Sequence, residues 1–249
     1  MNRQALYKAA SVALALAVWQ IISMSIGMEM ILASPVKVAA RFFTLWTEPE
    51  TWSTVLFSLL RICGGFFAAF ALGLALAFLS ARFSAAAALL WPYVMAMKAV
   101  PVASFIILCL IWFSFTQLTV FIGFLIAFPV IYSNVLQGLQ STDRKLLEMA
   151  EVYRLSWKRR LTYIEIPAVM PYLLSACRVA MGMAWKAGVA AEVIGMVNGS
   201  IGNALYEARI YFQNADLLAW TAMIIVLSFA LEKALVGALK KAYGWMVKR

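Results

Sequence analysis

Residues Leu147–Pro167 read LEMAEVYRLSWKRRLTYIEIP, the longest charged segment of a chain that is otherwise mostly apolar. Six basic residues lie from Arg144 to Arg160: Arg144, Lys145, Arg154, Lys158, Arg159 and Arg160. Asp143, Glu148, Glu151 and Glu165 are interleaved with them, and apolar runs flank the whole. A polar, helix-prone loop between apolar runs is either a solvated connector held by surface ion pairs or a docking surface. The residues of the loop alone support both readings.

Composition sets the solvent. The chain of 249 residues is 65% hydrophobic and 13% charged, with a mean hydropathy of +0.88. Soluble domains run near 45–50% apolar and 25% charged. A transmembrane helix needs roughly 20 largely apolar residues. Six spans are expected, at about 9–28, 54–80, 85–113, 118–137, 171–196 and 217–239, in one all-α transmembrane domain covering 1–249. The first run also has the form of a secretory signal peptide, but it is long and no A-x-A site closes it, which favours a span. The charged loop, 141–167, lies between spans 4 and 5. Cys63, Cys109 and Cys177 all fall in apolar segments and read as small core residues. There is no histidine, which removes Ser-His-Asp and Cys-His catalysis and His-ligated metal sites. No P-loop motif is present, so no nucleotide is expected on this chain.

The connectors carry their own signals. Ser34-Pro35 marks a helix start, and Val36–Trp46 reads as a short amphipathic helix. Pro92 and Pro101 interrupt 85–113, so a break is expected near Lys98–Pro101, buried in protein or lining a cavity. A turn is expected at Ser114–Gln117. Ile201, Ala204, Leu205, Ala208, Tyr211 and Phe212 form one apolar face of a short helix between spans 5 and 6. In spans 2 and 5, Gly64, Gly65, Gly73 and the stripes Ala176/Ala180/Ala184/Gly188 and Ala187/Ala191/Gly195 suit tight helix packing. With both termini inside, the inner segments hold 13 Lys/Arg: Arg3, Lys8, Arg82, the six of the loop, Lys240, Lys241, Lys248 and Arg249. The outer segments hold four: Lys37, Arg41, Arg61 and Arg209. That is a positive-inside distribution, which accounts for the +10 net charge without nucleic acid.

Within the loop, Glu148-Met149-Ala150 starts a helix with Leu146, Leu147, Ala150 and Tyr153 as its apolar face. A turn follows over Arg154, Leu155 and Ser156, and a second, basic helix leads to Ile166-Pro167, where proline is expected to end the loop. This pattern resembles the E-A-A…G…I-x-L-P loop (the EAA motif) of permease subunits in binding-protein-dependent ABC importers. Two positions depart from it: Met149 replaces the first alanine and Arg154 the glycine. A residue other than glycine takes a left-handed turn less readily, so the loop geometry or the partner's groove is expected to differ from the family norm. Elsewhere Ala33-Ser34-Pro35 with Val38, Ser58-Leu59-Leu60-Arg61 with Gly65-Phe66, and Lys98-Ala99-Val100-Pro101 are similar to motifs of the nitrate/sulfonate/taurine-type permeases. So are Ile111-Trp112-Phe113 and Ala184-Trp185 with Ala191-Glu192-Val193-Ile194-Gly195.

The resemblance implies a type I importer permease working as a homodimer in the cytoplasmic (inner) membrane of a bacterium or archaeon, with both termini cytoplasmic. Its loop would carry the coupling helix that enters a groove of an ABC ATPase, and a periplasmic or lipid-anchored binding protein would deliver the solute. ATP and Mg would be bound in the ATPase partner, and no cofactor by this chain. Family relatives carry nitrate, alkanesulfonates, taurine or pyrimidine-type precursors. Lys98, Lys186 and Glu192 are the ionisable groups deepest in the spans, and such groups face the bundle interior or a wet cavity. A Lys98–Glu192 pair is expected. With Pro101, Trp185 and Lys186 these residues are candidates for the lining of a path for anions, or they fix helix packing. Trp185 and Trp112 either gate that path or pack, and Arg61 and Arg178 are expected to snorkel to headgroups. A gradient-driven secondary transporter or channel subunit is the alternative, but it needs no docking loop and no inverted repeat is visible. An intramembrane enzyme lacks any residue set to work with.

Overall fold

The computed structural model describes residues 3–247, so Lys248 and Arg249 of the basic tail lie outside the described residues. Eleven α-helices and one π-helical turn make up the secondary structure, with no strand among the described residues. Five helices are long and apolar enough to cross a bilayer, or six with one bent pair counted as a span.

Helix α1 (Arg3–Ile26) is apolar on every side and almost wholly exposed, as a lipid-facing helix is. Gly27, at φ 66°, ends it in the left-handed region. Helix α2 (Pro35–Thr47) starts where Ser34 caps the Lys37 amide and Pro35 supplies a preset φ at the first turn. The core is built from α3 (Pro49–Arg82), α6 (Phe115–Gln140) and α9 (Ile166–Ile194). Glycine sets their spacing. A Cβ on Gly65 of α3 would lie 2.1 Å from the Val120 carbonyl oxygen of α6. One on Gly188 of α9 would lie 2.6 Å from Ile62 of α3. Ile62, fully buried, is thus keyed into both neighbours, and the stripe Ala176, Ala180, Ala184 and Gly188 is buried along its length.

Between α3 and α6 the chain forms α4 (Ser84–Ala99) and α5 (Val102–Cys109), which meet at 102°. The bend has a local cause. Val100, before Pro101, is held extended (φ −73°, ψ 129°), and Pro101 at φ −61° opens α5. The turn expected at Ser114–Gln117 lies earlier, over 110–114; of the four expected residues only Ser114 is outside the helix, because Phe115 already starts α6.

After α6 come α7 (Arg144–Val152), the four-residue α8 (Trp157–Arg160) and a π turn (Leu161–Glu165), which runs straight into α9. This corrects the expectation for Pro167. It does not end the loop; it sits in the first turn of α9, inside a helix continuous from Trp157 to Ile194. A proline lacks the amide for the carbonyl four residues back and collides with it. The chain answers with a π turn just before, where the Ile166 amide reaches the Leu161 carbonyl. The fifth helical rod therefore starts well before residue 171. Helix α10 (Ile201–Ile210) is capped by Ser200, and α11 (Asn214–Val247) closes the bundle. Tyr211 and Phe212 fall beyond α10 and are exposed, unlike Ile201 and Ala208 of its apolar face.

The bundle has two distinct ends. One holds Arg82, the 141–165 segment and the last turns of α11. At the opposite end, α2 is clasped to α11: Arg41 Nη1 lies 2.5 Å from Glu48 Oε1, and Arg41 Nε bonds Asp216. Burial lowers the Arg41 pKa, but its hydrogen bonds to Glu48 and Asp216 outweigh it and hold the pKa above the usual arginine value.

Candidate functional site

The charged loop is built as a presented helix. Asp143 accepts from the Lys145 amide at 2.9 Å and starts α7 four residues earlier than Glu148-Met149-Ala150 suggested. Ala150 is buried, and Leu147 is half-buried against a cleft of about 330 Å³ lined also by Phe78, Arg82, Leu139, Trp157 and Arg160. The outer face offers Glu148, Met149, Val152 and Tyr153, and Tyr153 is exposed instead of belonging to the packed face. Glu148 meets only Arg144, at 3.6 Å. Exposed pairs one turn apart contribute at most about 0.5 kcal/mol, so stability does not explain that carboxylate.

Helix α7 ends in a Schellman turn. The Leu155 amide donates to Ala150 O (2.9 Å) and the Arg154 amide to Glu151 O (3.0 Å), with Arg154 at φ 47°. Arg154 therefore takes the left-handed conformation that glycine takes most easily. Ser156 then caps α8, its carbonyl receiving the Arg160 amide. The same turn, again without glycine at the left-handed position, closes α9 at Met196 and α10 at Phe212.

The five pathway candidates do not converge. Lys98, exposed in the last turn of α4, donates to Ser133 Oγ of α6 at 2.7 Å. It lines a cleft of about 360 Å³ with Trp91, Tyr132, Ser133, Gln137 and Gln140, in which no carboxylate takes part. Pro101 lies at the bend beside it. Lys186 is exposed and has no partner among the described residues. Trp185 is fully buried, and its Nε1 donates to the Ile224 carbonyl, tying α9 to α11, so it neither lines nor gates a path. Glu192 is fully buried too, and the Lys98–Glu192 pair does not form. Its Oε2 accepts from Ser58 Oγ (2.8 Å) and from the Gly202 amide (3.3 Å). Arg61 lies over the Phe57 ring, 3.5 Å from its centre, with Nη1 buried. Arg178 pairs with Glu232 at 2.9 Å.

Sequence reasoning missed Ser133, Gln137 and Gln140. Their spacing of four and three places them on one face of an apolar helix, a signal that was available. Ser58 stood in a family-like stretch, but its partner Glu192, 134 residues away, was not readable.

Comparison with known proteins adds the lineage. Residues 69–241 match the family model described as binding-protein-dependent transport system inner membrane component. The chain is 28% identical over 209 residues to the putative aliphatic sulfonates transport permease protein SsuC of Bacillus subtilis, covering 83% of this chain and 75% of that one. It is 23% identical over 252 residues to the taurine transport system permease protein TauC of Escherichia coli, covering 98% and 91%. The bicarbonate transport system permease protein CmpB of Synechococcus elongatus is 27% identical over 164 residues, covering 66% and 58%.

Proposed function

The chain belongs to the binding-protein-dependent transport system inner membrane components, multi-pass permeases, and from that premise we propose that it is the permease subunit of an ATP-driven importer for a small anionic solute. Two copies form the path. An ABC ATPase, carrying ATP and Mg, docks on the Leu147–Pro167 loop of each copy, and a periplasmic or lipid-anchored binding protein delivers solute at the opposite end. Both termini are cytoplasmic, in line with Arg82, the loop and the end of α11 sharing one end of the bundle. Closure of the ATPase pair moves α7, and the permease rocks between inward- and outward-facing states. The permease makes no covalent change in anything.

The single observation that carries this reading is the Arg154 turn. The chain accepts a left-handed arginine where the family motif has glycine, and so keeps α7 presented with Glu148, Met149 and Tyr153 outward. The outward Glu148 pairs with Arg144 at 3.6 Å, an exposed pair that adds little stability, which leaves the carboxylate available to a partner. The anion follows from two supports: the lysine-bearing, carboxylate-free cleft at Lys98, and relatives named for sulfonates, taurine and bicarbonate.

The test compares tagged wild type with Glu148→Lys, expressed in the native host and extracted in mild detergent. An ATPase retained by the wild type and lost by the variant is expected. Wild type emerging without an ATPase in several detergents would overturn ATPase coupling and favour a gradient-driven carrier.

A further inference from the structure

Two stretches singled out separately in the sequence meet at the end of the bundle opposite the charged loop. Ser58 and Arg61 come from α3, and Glu192 from the last turn of α9. All of this geometry centres on the first residues of α10. The Ile201 amide donates to Ser58 Oγ at 2.9 Å, and the Gly202 amide to Glu192 Oε2 at 3.3 Å. Ser58 Oγ in turn donates to Glu192 Oε2 at 2.8 Å. The first two amides of α10, which have no partner inside their own helix, thus end on two other helices. Contact there is close: a Cβ on Gly202 would lie 2.3 Å from Glu192 Cβ. Ser58 and Glu192 are both fully buried.

Helix α10 is also one wall of a cleft of about 470 Å³, through Ser200, Asn203 and Glu207; the other walls carry Arg41 and Glu48 beside α2, and Asp216 and Trp220 of α11. The α2–α11 side is held by its own clasp at Arg41. Glu50, Thr51 and Thr54 of α3 line the same cleft, and α10 packs on α11 as well as on α9.

We infer that Glu192 is a positioning residue: with Ser58 it fixes the start of α10 to α3 and α9, so that the α10 wall of this cleft is carried by the α3–α9 pair. The fastening is an acceptor function. A carboxylate oxygen takes two hydrogen bonds at a buried helix start, where an unmet amide is expensive. The inference stands on this geometry alone and does not depend on what the protein transports.

Amide hydrogen exchange on the full-length protein in lipid nanodiscs tests it, with Ser58→Ala, Glu192→Ala and Glu192→Gln beside the wild type. Exchange over 200–208 is expected to speed up roughly tenfold or more in both alanine variants, the scale of losing one buried acceptor. Exchange around Gly65 and Gly123, at the α3–α6 crossing, is expected to stay as in wild type. Glutamine keeps an oxygen for both donors, so Glu192→Gln is expected to remain within about twofold of wild type. If Glu192→Ala fails to fold, Ser58→Ala, which leaves the carboxylate in place, carries the test. Wild-type exchange of α10 in the alanine variants overturns the inference. So does loosening spread equally over α3, α6 and α9, which marks a general stabilising role, and so does a glutamine variant as loose as alanine.

Discussion

Arg154, Met196 and Phe212 each hold a left-handed conformation at a helix end, at a cost of about 1–2 kcal/mol relative to glycine. Arg154→Gly is therefore expected to raise the melting temperature of the purified protein by about 2–4 °C while the ATPase still co-purifies. A fall would mean that the arginine side chain holds something the turn alone does not. A sharper contrast lies in two adjacent glycines. Gly65 faces the Val120 carbonyl so closely that a methyl has no room, whereas Gly64 has nothing within 4 Å. Gly65→Ala is expected to cost about 3 kcal/mol or more, because backbone has to move, and Gly64→Ala to be neutral or to stabilise by up to about 1 kcal/mol. Fluorescence-detected gel filtration after a heat step reads both. The sequence marks both glycines equally. Which of them faces α6 depends on helix rotation, and that is a property of the packed bundle.

At the level of elements, local rules were legible and cross-chain ones were not. Ser34-Pro35 announces α2, and Val100-Pro101 announces the 102° bend, because each acts through its own backbone. The π turn before Pro167 was not legible. A proline is normally read as a stop, and only the continuing burial of α9 against α3 and α6 makes it worthwhile to keep the helix going. Pro167→Ala restores the missing amide. The π turn is then expected to relax toward α-helix, seen as slower amide exchange over 161–168 by an amount up to that of about 3 kcal/mol. Unchanged exchange would place the cause of the π turn elsewhere. Glu192 shows the same limit from the other side. As an acid deep in a span it was paired by elimination with Lys98, when its partners are a serine hydroxyl and a backbone amide that carry no charge to search for.

At the scale of the whole molecule, two lysines at membrane depth stand exposed, Lys98 and Lys186. A cation facing lipid is costly, and in the proposed reading a water-filled path or the second copy covers them. Lys98→Met and Lys186→Met are expected to lower uptake by reconstituted vesicles roughly 10–100-fold, the scale of one charge-assisted hydrogen bond to the solute. Unchanged uptake in both would remove any cationic lining. The number of rods and the charged loop were readable from composition and motif. The clefts were not, because each forms between helices whose facing sides are set only by packing. The helix running unbroken from Trp157 to Ile194 has a mechanical meaning of its own. Its 38 residues span about 57 Å at 1.5 Å per residue. Such a rod is a seesaw, with a midpoint near Ala176, where the small-residue stripe begins. A tilt of about 10° swings its two tips about 5 Å in opposite senses. In the proposed coupling a push delivered beside Arg160 arrives inverted at Glu192, and the π turn and Pro171, both near the driven tip, are where the beam bends.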